Sequence, residues 1–128
     1  MNAAVMPPTI APPAANYVHA VVSSAGSRLL HTSGVVPIAA DGTVPEALAE
    51  QASTVWANLA AIVAEAGMTM SDVVSVTTYV VAGQPLGAVM AARDAALAGH
   101  RAASTLLVVP QLARPEWKLE IALVAAAL

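Results

Sequence analysis

Two stretches toward the C-terminal end, Ser104 to Val109 and Lys118 to Leu128, are apolar at consecutive positions rather than at alternate ones. A strand points successive side chains to opposite faces, so a run that is apolar at odd and even positions alike calls for burial on both faces of its sheet. One layer of helices covers only one face. The other must meet something else. Composition sharpens the demand: A, V, I, L, M, F, W, Y and C make up 58% of the 128 residues and charged residues only 10%, against roughly 25% charged in an ordinary domain. Two readings fit. Either other copies of the chain cover part of the surface, because obligate interfaces resemble a core cut in half, or the sequence carries an alanine bias with no oligomer behind it.

A chain of this length holds one core, since independent domains typically run to roughly 100 to 150 residues. The net charge of −3 sets Arg28, Arg93, Arg101, Arg114 and Lys118 against eight carboxylates, and no basic cluster forms anywhere. Nucleic-acid affinity comes largely from neutralising phosphates, so a DNA or RNA partner is disfavoured. The absence of cysteine removes thiol nucleophiles, disulfides and cysteine-based zinc sites together. No stretch approaches the ~18 to 20 apolar residues of a membrane span, because Gly83, Gln84, Pro85 and Gly87 break the longest run. The opening Met1 to Pro13 is Pro-rich and lacks a positively charged region, so it does not read as a secretory signal. A soluble, cytoplasmic protein with no membrane partner is the expectation.

The arm 1–14 contains Pro7, Pro8, Pro12 and Pro13, which cannot donate ladder hydrogen bonds, and is left out of the core formed by 15–128. Tyr17 to Ser23 and Arg28 to Ser33 are β-favouring runs joined by four residues that include Gly26, and should pair as a hairpin. Asp41-Gly42 marks a turn. From about Glu46 to Ala66, Leu48, Val55, Leu59, Ile62 and Ala66 share one helical face, and Gly67 follows as a stop. Asp72 to Val81 reads as a central strand, Leu86 to Ala98 as a second helix ending at Gly99, and the two apolar runs as the last strands. The fold class is α+β, in the order β-β-α-β-α-β-β, with two helices on one face of a mixed sheet.

Several blocks, in order, resemble one family. Tyr17-Val18-His19-Ala20-Val21 is similar to its Y-S-H-A-V strand, and Thr32-Ser33-Gly34 with Pro37 and Asp41-Gly42 to its S-G-x-x-P…D-G segment. Gln51, Asn58-Leu59 and Glu65-Ala66-Gly67 resemble its Q…N-L…A-G helix. Asp72-Val73-Val74 with Thr77 and Tyr79 resembles D-V-V-K-x-T-V-Y, and Leu119-Glu120-Ile121-Ala122 resembles V-E-I-E. The family is RidA/YjgF/UK114, formerly labelled endoribonuclease L-PSP. The resemblance implies a chorismate-mutase-like homotrimer with a central barrel and a small-molecule cleft at each subunit interface. It also implies cofactor-free hydrolysis of enamines or imines to carbonyl compounds with release of ammonia. In that chemistry an arginine after P-A, followed by Ser or Thr, pairs with the substrate carboxylate, and a glutamate near the last strand places water.

Aligning Ala102-Ala103-Ser104-Thr105 with that motif sets Ser104 in the arginine's place, which removes a planar, bidentate carboxylate clamp. Arg101 is the substitute to test; otherwise it is a solvated or salt-bridging residue at a helix end. Glu120 is the candidate catalytic carboxylate, or else a structural partner of Lys118 or Arg114. Tyr17 either lines the cleft or packs its ring at a subunit contact. Ser33 either binds ligand or serves the turn before Gly34. Ser104 has no nucleophile elbow and reads as a small neutral pocket residue. His19 and His31 lack metal-ligand spacing and read as core or interface histidines, so no metal is expected. Two functions follow: a RidA-like deaminating hydrolase with altered specificity, or a non-catalytic trimer that binds a metabolite or a protein in the inherited cleft.

Overall fold

Leu48, Ala52, Val55, Leu59 and Val63 recur at helical spacing and are all buried, which fixes the inner face of α1 (Leu48–Glu65). The stripe continues to Val63, so Ile62 points outward and is 37% exposed. A computed structural model describes all 128 residues. Its remaining elements are β1 (Asn2–Val5), β2 (Ala20–Ser23), β3 (Arg28–His31), β4 (Val73–Val81), α2 (Leu86–Leu97), β5 (Ala103–Val109) and β6 (Leu119–Ala127). A single 3-10 turn, Met70–Asp72, leads into β4, where the Asp72 carboxylate accepts the Thr69 N–H at 2.8 Å.

Four strands form a sheet in the order β3-β6-β4-β5, antiparallel except for the β4–β5 pair. That parallel pair needs a crossover, and α2 supplies it. Both helices share one side of the sheet. The core between them is built from Leu59, Leu119, Ile121, Leu123, Val76 and Val80, each at most 2% exposed, and burying a side chain of this size contributes about 1.5 to 3 kcal/mol. The α+β class and the order of the later elements match the sequence expectation.

The N-terminal third differs from it. Residues 2–5 form a strand, paired antiparallel with β2 from Asn2 against Ser23 to Val5 against Ala20, so the arm 1–14 is not wholly outside the fold. The four prolines lie in the connection between these two strands, where no ladder is asked of them. The expected β2–β3 hairpin does not form. The connection does turn, with Ser27 N–H bonded to the Ser24 carbonyl at 3.3 Å, but β3 joins β6 while β2 joins β1. Two longer-range bonds decide this: the Met1 carbonyl accepts the Ser24 N–H at 3.1 Å, and the Asn2 side-chain amide donates to the Ala126 carbonyl at 3.0 Å. The β1–β2 ribbon thus lies across the end of β6. At the Asp41-Gly42 turn, the Thr43 hydroxyl and N–H donate to Asp41 and hold its carboxyl below the usual range.

The side of the sheet away from the helices stays largely bare. The chain exposes 6955 Å², against roughly 6300 Å² for a compact monomer of 12.8 kDa. Leu107 and Val108 are 41% and 53% exposed, so β5, apolar on both faces, is not buried on both within one chain.

One buried polar side chain ties the entry of β6 to α1. Gln51 is 1% exposed; its amide donates to the carbonyls of Pro45 and Glu116, and its oxygen accepts the Lys118 N–H, all at 2.8 Å. Gln51→Ala strands three backbone groups and should cost about 3 kcal/mol in urea unfolding; a loss under about 1 kcal/mol would mean water replaces it there.

Candidate functional site

β4 and β6 pair with Val76 opposite Leu123, Thr78 opposite Ile121 and Val80 opposite Leu119. All six are buried, which marks this as the helix-facing side. The alternate rows, Thr77 with Ala122 and Tyr79 with Glu120, therefore point to the bare face. The parallel pairing of β4 with β5 extends both sets: Ser104 and Leu106 follow Val76 and Thr78 to the helix side, while Thr105 and Leu107 follow Thr77 and Tyr79 to the bare one.

Glu120 is half-buried on that bare face. Val35 and Ile121 exchange backbone hydrogen bonds at 2.7 and 3.1 Å, which draws the chain before Val35 alongside β6. Gly34 comes so near that a Cβ there would run into the Glu120 carboxylate. A side chain at position 34 would displace the acid, so glycine permits this close approach. Glu120 has no hydrogen-bond or ion-pair partner in the chain. The two cations proposed as structural partners are engaged elsewhere: Lys118 donates to the Glu46 carbonyl, and the Arg114 guanidinium lies 5.5 Å from the Trp117 ring centroid. Ser33 adjoins this corner, exposed; its carbonyl accepts the Thr32 hydroxyl at 2.8 Å.

Ser104, expected as a small neutral pocket residue in the place of the motif arginine, lies on the helix-facing side and not on the face that carries Glu120. Its hydroxyl accepts a hydrogen bond from Arg93 Nη1 at 3.1 Å. Arg93, 7% exposed, also donates from Nε and Nη2 to Asp94 Oδ1 at 3.2 and 3.1 Å. Ser104 thereby pins α2 to β5. The residue that shares the acid's face, one row along, is Thr105.

Tyr17 and Arg101 gather at the other end of β5. Val18 N–H bonds the Ala102 carbonyl at 3.1 Å and Val18 bridges Ala103, so the segment carrying Tyr17 runs beside the start of the strand. The Tyr17 hydroxyl accepts the Ala14 N–H at 3.2 Å. Arg101 is exposed and makes no hydrogen bond or ion pair. It precedes Leu107, in the Glu120 row, by six residues, about 20 Å of strand. Within one chain Arg101 does not reach Glu120. His19 bonds the Ala11 carbonyl at 2.8 Å, and His31 sits opposite Val124 on the bare face, exposed. Nowhere do three His, Asp or Glu side chains converge as metal ligands.

Thr77, Tyr79 and Thr105 are the residues that the sequence reading did not assign to the site. Counting by twos from Glu120 through the ladder finds them, but the ladder register is not written in any one strand.

The comparisons follow this geometry. The family model described as Endoribonuclease L-PSP matches residues 9–127. The chain belongs to that family, the Rid/YjgF/UK114 group. Among solved structures, the Rid family protein YyfB of Yersinia pestis is 35% identical over 98% of both chains, with a TM-score of 0.89. TdcF of E. coli, solved with bound serine, is 25% identical over 95% of this chain and 93% of its own, with a TM-score of 0.73. A YjgF/YER057c/UK114 family member from Mycobacterium tuberculosis, 20% identical over 99% of this chain and 100% of its own, shares the fold with a TM-score of 0.69. No curated protein matches.

For this Rid protein, Ser104→Ala should lower stability by about 1 to 2 kcal/mol, because Arg93 loses an acceptor in a buried site. NMR signals of Glu120 and Tyr79 should stay in place; movement at Glu120 would return Ser104 to its neighbourhood.

Proposed function

We propose that this Rid protein is a hydrolase that deaminates a small enamine or imine at a cleft between subunits of a homotrimer. The observation that carries the reading is Glu120: an unpartnered, half-buried carboxylate pressed against Gly34 on the uncovered sheet face, with the hydroxyl-bearing Tyr79 ring opposite it and the hydroxyls of Thr77 and Thr105 farther along the same face. An enamine first shifts its N–H proton to carbon to give the imine. Water then adds to the C=N carbon as Glu120 takes one water proton and passes it to nitrogen, which makes a carbinolamine. The hydroxyl proton then moves to nitrogen as the C–N bond breaks, so that a carbonyl compound and ammonia leave. The step consumes one water and needs no metal or organic cofactor.

Tyr17 and Arg101 lie too far from Glu120 to join it within one chain. A neighbouring copy is the natural route by which they, with Ser33, would line the same cleft. The exposed Leu107 and the bare face around it support such an assembly. TdcF with bound serine supports a small amino compound as the kind of ligand a Rid fold holds. The endoribonuclease label finds less support, because the cations are dispersed and mostly engaged: Arg28 on the Ala66 carbonyl, Arg93 on Asp94, Lys118 on the Glu46 carbonyl. No basic track is left for phosphates.

In an ammonia-release assay on small enamines and imines, Glu120→Gln should lower turnover by roughly a hundredfold to ten-thousandfold, the range expected for a lost general base. Unchanged turnover in that variant would remove the acid from the mechanism. Light scattering should give a mass near three chains. A clean monomer would leave Tyr17 and Arg101 outside any shared cleft.

A further inference from the structure

The bare face around Glu120 is short of positive charge. Its two central rows are Glu120, Tyr79 and Leu107, then Ala122, Thr77 and Thr105. They contribute one carboxylate and three hydroxyls, none of them hydrogen-bonded within the chain, and no lysine or arginine. Four of the five cations are held by other groups: Arg28 at the Ala66 carbonyl ending α1, Arg93 by Asp94 and Ser104 under the opposite face, Arg114 over Trp117, Lys118 at the Glu46 carbonyl. Besides Tyr79, the other titratable side chain on the face is His31, which lies opposite Val124, four residues and about 13 Å along β6 from the acid.

A ligand carboxylate set on this face would approach the Glu120 carboxylate with no cation of the same chain to hold it, and like charges at contact distance are unfavourable even near water. An amine or iminium would complete the unpaired acid. Neutral C=O or N–H groups would be served by the hydroxyls. We infer that the site takes small nitrogen compounds that carry no carboxylate, amines and iminium-type species above all, with Glu120 reading the positive charge and Thr105 standing where a clamp for anions would need a cation. This rests on Glu120 being the ligand site, and it adds the charge class of what enters.

Three probes with one carbon skeleton test it: isobutylamine, isobutyramide and isobutyrate, titrated into the intact protein by calorimetry or ligand-observed NMR. The amine should bind at least roughly tenfold more tightly than the carboxylate, the order expected for one reversed charge at contact distance, with the amide between. Glu120→Gln should erase the advantage of the amine over the amide. Thr105→Arg, at an exposed position on the same face, should raise isobutyrate affinity above that of the amine, because it supplies a planar donor fork. Ser104→Ala, on the other side of the sheet, should leave the order unchanged. Isobutyrate binding as tightly as isobutylamine to the native protein would overturn the inference, and so would binding of none of the three. Arg101→Ala guards against a cation contributed by a neighbouring copy: if carboxylate binding is present and vanishes in that variant, the inference fails. The hydrolase reading stands or falls separately on ammonia release. Turnover with carboxylate-bearing substrates preferred would sink only the charge class, and the predicted probe order without any turnover would sink only the hydrolysis.

Discussion

The antiparallel pairing of β4 with β6, held in register from Val80 against Leu119 to Val76 against Leu123, decides what every other part of this molecule can do. It places Val76, Val80, Leu119, Ile121 and Leu123 together on the side that α1 and α2 cover, and by the strict alternation of a strand it sends Tyr79, Thr77, Glu120 and Ala122 the other way. Burial of that one apolar row stabilises the domain and, with no further instruction, presents the acid. A slip of one residue would bury Glu120 and expose the core row, so the register is held by several buried aliphatic side chains at once. Gln51 reinforces it from the end by fixing the turn around Glu116 and Lys118 just before β6 begins.

Much of this was readable from the sequence where local periodicity and burial agree. The α1 stripe, the stop at Gly67, the β-branched run of β4 and the acid within β6 each carry a signal inside their own segment. Three features do not. The pairing of β2 with β1 depends on Met1 and Asn2 reaching Ser24 and Ala126; a short, glycine-containing loop between β2 and β3 argues locally for a hairpin that these contacts override. Gln51 looks like an ordinary polar helix residue, because the carbonyls that accept its amide belong to residues 45 and 116. A motif alignment puts Ser104 in the place of the family's arginine. β5 is apolar at 106, 107, 108 and 109 alike, so it offers no alternation to say which face Ser104 takes. Only its pairing with β4 supplies that, and it puts Thr105, not Ser104, on the face of Glu120.

The same ambiguity in β5 that hides the site also bears on assembly. An edge strand with large apolar side chains on both faces and a free side of its own is a liability for a monomer. Here the free side is blunted only near its start, where Val18 bridges Ala103, and Leu107 and Val108 remain in solvent farther along. Leu107 shares its face with the polar groups of Glu120, Tyr79, Thr77 and Thr105, which have no partners of their own, while Val108 points to the other side. A surface that combines exposed aliphatic side chains with unsatisfied carboxylate and hydroxyl groups is poorly explained as plain surface and well explained as half of a cleft: the apolar part drives association, and the polar part is kept free for a ligand.

Gly34 links these two levels. Its missing side chain lets the chain after β3 lie directly against Glu120, and the Val35–Ile121 hydrogen bonds keep it there. The acid is thus walled on one side by backbone, with one carboxylate oxygen lying where a Gly34 side chain would begin, which limits its rotamers. On the open side of the face the next rows offer hydroxyls and no cation. A carboxylate held in this way suits water or a protonated nitrogen and disfavours an anion, and it is set by three sequence choices far apart in the chain: glycine at 34, threonine at 105 and glutamate at 120.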